Sequence, residues 1–237
     1  MILDEIVQHT KLKLAATKAR RFASMFNDQK CLLICELKIK SPSHPDPYLD
    51  NVDALLNEYM HAGVDAVSVV TENKFFGGNL DMVPQASRTC LPVLRKDFIV
   101  EARQVAQVST DALLLIARIV SSDRLKELVG ICSKLDIEPV VEIHEESDLP
   151  KALDSGANTI AVNARDLQTQ TINQSQALDL LAQIPENKTK LLFSGIKSPK
   201  DIENARKMGA NGVLVGTSVL EAPNRIEYIK QLKEACL

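Results

Sequence analysis

No CxxC pair occurs among the five cysteines, Cys31, Cys35, Cys90, Cys132 and Cys236. This removes the simplest zinc and dithiol motifs. Cys31 and Cys35 would stand about 13 Å apart on an extended strand, beyond the ~7 Å Cα limit of a disulfide. All five are expected as reduced, mostly buried thiols in a cytoplasmic protein. The four histidines, His9, His44, His61 and His144, show no metal-ligand spacing, so no metal is expected. Long apolar runs are also missing. The longest, "ALLLIA", is too short to span a bilayer, and "MILDEIVQHTKLK" lacks the apolar core of a signal peptide. Nor is there a strong charge of one sign: the net charge is −3. Composition therefore offers no footing for nucleic acid or an anionic membrane, and neither is expected as a partner. A small anion stays open, because local placement of Lys and Arg outweighs the total.

What is present is a rhythm. Short apolar, β-branched runs alternate with amphipathic segments across the 237 residues. "CLLICELK" precedes "LDNVDALLNEYMHAG", and "VDAVSVVT" precedes a long loop, "ENKFFGGNLDMV". "LPVLRKDF", "DALLLIA", "EPVVEIH", "NTIAVN", "KLLFSG" and "NGVLVGTS" follow, each with a helical partner. Near-continuous apolar strands between helices imply a parallel sheet covered on its outer face. Eight units in this length fit a (β/α)8 TIM barrel, an α/β fold. An extra N-terminal helix, about Asp4–Met25, stands in front. The whole chain, 1–237, is expected as one domain, with 1–30 as its helical extension. A doubly wound open sheet is the runner-up, but it needs a glycine-rich turn after the first strand, and "KIKSPSHP" has none.

In such a barrel the active site lies at the C-terminal strand ends. Those ends carry Glu36 and Lys38, Lys96, Glu142, Asn163 followed by Arg165, Ser194–Gly195 and Gly216–Thr217. Glu36 and Lys38 are two apart on a strand and so point the same way. Taken singly, each has an ordinary explanation: an internal ion pair, a solvated "LRKDF", a helix cap, a turn. Gathered at one rim from different strands, they point to a site. Ser194–Gly195 and Gly216–Thr217 are expected to open short helices, whose free N–H groups and dipole attract an anion. The expected ligand is a phosphate monoester.

These motifs resemble those of the indole-3-glycerol-phosphate synthase family over nearly the full length. The resemblance rests on "ELKIKSPS", "SVVTENKFFGGNLDMV", "PVLRKDFIV", "DALLLIA", "VEIHEESDL", "VNARDLQT", "SGI" and "GANGVLVGTSVL". It implies ring closure of 1-(2-carboxyphenylamino)-1-deoxyribulose 5-phosphate with loss of CO2 and water, in tryptophan biosynthesis and without a cofactor. It further implies Lys96 as general acid and Lys38 as the holder of the anthranilate carboxylate. Glu142, with Glu36, would supply base function and charge stabilisation, and Asn163 would orient the sugar. Ser41, Arg165, Ser194, Gly195, Gly216 and Thr217 would hold the phosphate and nearby backbone, while Phe76, Phe98 and Leu114 would form the anthranilate slot. A monomer is expected, with other enzymes of the pathway as the partners to test.

The sequence also departs from the family. Phe193-Ser194-Gly195-Ile196 stands where the family usually has "ESGI", so a rim carboxylate becomes a phenyl ring. Thr217 replaces a usual Ser, Ala164 a common polar residue, and "SPSHP" lacks the glycine usual after its second Ser. The segment before the fourth strand looks a turn short. Two readings follow: a synthase slowed by Phe193, or a divergent paralogue acting on or binding another phosphorylated ligand. A phosphoribosylanthranilate isomerase would want a Cys/Asp acid–base pair, and Cys35 precedes the wrong motif.

Overall fold

In the computed structural model, residues 22–27 and 30–237 are described. Eight strands close into an all-parallel barrel in chain order. They are β1 (Leu32–Leu37), β2 (Ala66–Val70), β3 (Val93–Lys96), β4 (Ala112–Ile116), β5 (Glu138–Ile143), β6 (Thr159–Asn163), β7 (Thr189–Phe193) and β8 (Gly212–Val215). β1 pairs with β8, Cys35 opposite Val215, which closes the ring. The helix expected over about Asp4–Met25 lies mostly outside the described residues. Its described end is a 3-10 helix, Phe22–Asn27.

Helices follow each strand: α1 (Val52–Ala62), α2 (Met82–Ser87), α3 (Ala102–Val105), α4 (Ser122–Lys134), α5 (Leu149–Asp154), α6 (Gln174–Gln183), α7 (Pro199–Lys207) and α8 (Thr217–Leu220), with α9 (Arg225–Cys236) last. Their starts are written in the sequence. Asn51, Ser121 and Asn224 accept from backbone N–H groups in the first turns of α1, α4 and α9, as N-cap residues do. Ser198 and Asp201 form a reciprocal capping box on α7. The short stretch before β4 is a single-turn helix, α3. Among the described residues, no helix is long and apolar enough to cross a membrane.

Strand alternation sorts the core into two shells. Leu33, Cys35 and Leu37 of β1 face outward into the layer between sheet and helices. Ile34, Leu94, Leu114, Val140, Ala161, Leu191, Phe193 and Leu214 fill the barrel interior. Phe22 is fully buried against that interior. Phe26 comes within contact of Gly212 at the start of β8, so the 3-10 segment closes the end opposite the rim. Cys31, Cys35, Cys132 and Cys236 are buried thiols, and Cys90 is exposed.

Candidate active site

Continuing the inward positions upward gives the rim. After Ile34 come Glu36 and Lys38, and after Leu94 comes Lys96. Glu142 follows Val140, Asn163 follows Ala161, and Phe193 follows Leu191. The alternation that fills the core thus delivers five of these six side chains as polar groups at the mouth. Glu36, Lys38, Glu142 and Asn163 are all buried, so their charges and amide must be satisfied inside the site.

They are largely satisfied by each other. The Glu36 carboxylate accepts from Lys38 Nζ at 2.9 Å through Oε1 and from Lys96 Nζ at 3.2 Å through Oε2. Burial alone would push Glu36 up, but the two lysines, by charge and hydrogen bond, bring it down to about 2. Lys96 moves the other way. Its burial disfavours the ammonium, yet Glu36 and Glu142 more than offset this, with Arg165 opposing, and the group ends above its ordinary value. Lys38 also donates to Thr217 Oγ1 at 3.0 Å, tying β1 to the start of α8.

Across the mouth, Asn163 Nδ2 donates to Glu142 Oε1 at 3.1 Å. Glu142 Oε2 is buried and has no hydrogen-bond partner among the described residues. Burial raises the Glu142 carboxyl, and Glu36 adds to this, against the pull of Lys96, Asn163 and His144. A carboxyl held above its ordinary range, with one oxygen free, is suited to exchanging a proton.

Two openings meet at Glu36. A narrow slot is walled by Phe76, Phe98, Leu114, Ile116 and Leu167, with Lys96, Glu142 and Asn163 along its edge. The Phe76 and Phe98 rings pack with centroids 6.5 Å apart, tilted by 34°, and give the slot an aromatic wall. The second opening, a cleft of about 420 Å³, is lined by Arg165, Ser194, Gly195, Gly216, Thr217 and Lys197. Glu36 borders both.

The cleft is built mainly from backbone. Thr217 and Ser218 are the first residues of α8 and their N–H groups have no partner within the helix. A side chain at Gly216 would press on the site: a Cβ there would stand 2.5 Å from Glu36 Oε1 and push that carboxylate aside. Ser194 and Gly195 differ from expectation. They do not open a helix, since α7 begins only at Pro199. Both instead take left-handed backbone, φ 66° and 78°, and turn the chain sharply back over the cleft. Left-handed backbone is costly for a non-glycine residue such as Ser194.

Ser41 lies elsewhere. Its hydroxyl is within hydrogen-bond distance of Ser43 and Tyr48 in the loop after β1, and it lines neither opening. Arg165 borders the cleft while its guanidinium donates to Gln170 O. Several contributors were not named from sequence: Lys197, Ile172 and Tyr228 at the cleft, and Val70, Asp97, Ile116 and Leu167 at the slot. Asp97 accepts from Arg95 and Thr71 at 2.9 and 2.7 Å. Arg95 is only 1% exposed and also donates to Gln104 and Gln107. "RKDF" is therefore no solvated charge run. Its arginine braces the strand outward while its lysine turns inward, and the strand's period of two is the signal that separates them.

Against this geometry, known proteins give a consistent answer. Residues 3–232 match the family model described as indole-3-glycerol phosphate synthase. The chain belongs to the indole-3-glycerol phosphate synthase family. The relative of that name from Acetivibrio thermocellus is 31% identical, the match covering 98% of this chain and 99% of its own. The one from Sulfurimonas denitrificans is 38% identical over 85% of this chain and 78% of its own. Among solved structures, 3-hexulose-6-phosphate synthase from Salmonella typhimurium aligns with TM-score 0.69 at 12% identity, covering 86% of this chain and 98% of that one. At that identity it speaks for the barrel fold alone.

Within the family, the position of Phe193 becomes concrete. Its ring is fully buried in the interior cluster, directly beneath the polar mouth. The ammonium of Lys96 sits over it, 5.1 Å from the ring centroid.

Proposed function

We propose that the protein closes the indole ring of indole-3-glycerol phosphate from 1-(2-carboxyphenylamino)-1-deoxyribulose 5-phosphate, releasing CO2 and water. The observation that carries this is the junction at Glu36. There a slot walled by apolar and aromatic side chains meets an anion-suited cleft, and a protonated lysine stands at the meeting point.

The phosphate would occupy the cleft against the first N–H groups of α8, the Ser194–Gly195 turn, Arg165 and Lys197. The anthranilate ring would lie against Phe76, Phe98 and Leu114. With both ends held, the ketone carbon and the carboxylate-bearing ring carbon meet near Lys96. Such fixing of two reacting centres is itself a large part of catalysis. The ring carbon attacks the ketone carbon, and Lys96 delivers a proton to the ketone oxygen, which becomes a hydroxyl. The Glu36 and Glu142 charges stabilise the cationic ring intermediate. Loss of CO2 from that carbon returns the C–CO2 electron pair to the ring and restores its aromaticity. The hydroxyl then leaves as water, with Lys38 assisting, and Glu142 takes the proton lost as the double bond forms. Asn163 fixes Glu142 and orients the sugar. Ser41 acts only by shaping the loop after β1. The substrate is a phosphorylated small molecule, and the setting we infer, from the pathway the family serves, is the cytoplasm.

The test is direct. Wild-type protein given the carboxyphenylamino substrate should develop indole fluorescence, with one CO2 released per indole. Substrate binding without indole would transfer the assignment to a paralogue with another phosphorylated ligand.

A further inference from the structure

The inward face of β7 is apolar to its end: Leu191, then Phe193. Yet the group above Phe193 is the most demanding in the site. The Lys96 side chain is 17% exposed, and its ammonium donates to and pairs with Glu36. One carboxylate oxygen at 3.2 Å does not fix a flexible four-carbon chain. A second constraint comes from the ring at 5.1 Å, inside the roughly 6 Å range where an aromatic face attracts a cation, most strongly in a desolvated setting.

We propose that Phe193 is a positioning residue for the reaction: its ring forms the floor on which the Lys96 ammonium rests, aimed at the slot. This rests on the reading of Lys96 as the proton donor. The chemistry favours a ring there. The other groups facing Lys96 are Glu36 and Lys38 at the end of β1, Glu142 on β5 and Arg165 after β6. Asp97, on its own strand, is engaged by Arg95 and Thr71. Toward the rim, the inward positions of β7 and β8 are the apolar Leu191, Phe193 and Leu214. A third carboxylate on β7 would hold the proton more tightly and could accept it. A ring face attracts the cation but takes no proton, so it fixes the donor's place without competing for what it donates.

The experiment replaces Phe193 with mono-, di- and trifluorophenylalanine, which drain the ring face while nearly keeping its shape, alongside Phe193→Leu. The readouts are kcat, KM, melting temperature and the alkaline NMR titration of the Lys96 ε-carbon, its signal assigned by loss in Lys96→Met. The expected result is a stepwise fall of the Lys96 titration, reaching about one pH unit in the trifluoro protein. kcat should fall in the same order, with KM within about twofold and melting unchanged through the fluorinated series. Phe193→Leu should lower the titration at least as far. A titration and kcat that ignore fluorination, with only Phe193→Leu losing stability, would overturn the proposal and leave the ring as core filling. Failure of the underlying reading looks different: Lys96→Met would keep its turnover, whatever the ring series shows.

Discussion

The two halves of the rim solve different problems with different material. On one side, β1, β3, β5 and β6 send side chains into the mouth, and Glu36, Lys96, Glu142 and Asn163 meet there within hydrogen-bonded pairs. On the other, after β7 and β8, the cleft is made of backbone: a left-handed turn at Ser194–Gly195 and the open start of α8. The first half can move protons, because burial and neighbours shift its carboxyls in opposite directions, Glu36 down and Glu142 up. In the proposed reaction the second half holds the phosphate with N–H groups, which do not titrate. On the proposed reading, chemistry and anchoring are thus separated, and Glu36, which borders both openings, joins them.

That separation can be broken from either side. Glu142→Gln should give the largest loss short of removing the donor, about 10²-fold or more in kcat, with KM little changed. In wild type the acid limb of the rate profile should lie above the ordinary carboxylate range. Glu142 is inactive as a base below its raised pKa and active above it, and this limb should vanish in the variant. Gly216→Ala probes the join. Its Cβ would displace a Glu36 carboxylate held by two lysines, so kcat and KM should both worsen, each by about tenfold. A change confined to KM would show that Glu36 is not shared.

Glu36 also makes a pH-dependent contribution to stability. Its folded pKa of about 2 lies below the ordinary value, so the stabilisation is complete above about pH 4.5 and is lost as pH falls toward 2. It amounts to roughly 3 kcal/mol as an upper figure. Melting temperature should drop across that window in wild type and less steeply in Glu36→Gln. The smallest effect belongs to the cleft by itself. Inorganic phosphate at ten times its dissociation constant should stabilise by about 1.4 kcal/mol, a rise of a few degrees. Thr217→Ala should reduce this and Glu142→Gln should not.

The charged half was the more legible in sequence, for a physical reason. An ionisable residue inside an apolar strand is conspicuous, and the period of two says which such residues share a face. Glu36 and Lys38 were readable this way, and so in principle was Phe193, two after the inward Leu191. The backbone half leaves a fainter trace. Glycine at 216 and 195 marked the places, but the left-handed Ser194 and the late start of α7 depend on how the turn packs, which no local pattern encodes. Lys197 and Tyr228 reach the cleft from loop and helix through tertiary packing alone. Ser41 was named with the phosphate residues through the resemblance, and here it bonds within its own loop.

The most direct measurement is Lys96→Met examined for substrate binding and turnover in the same preparation. The expected result is an affinity within about threefold of wild type and a turnover lower by at least ~10²-fold, because the anchoring half is untouched and the proton donor is gone. Turnover within a few-fold of wild type, or binding and turnover lost in parallel, would contradict the division of the rim.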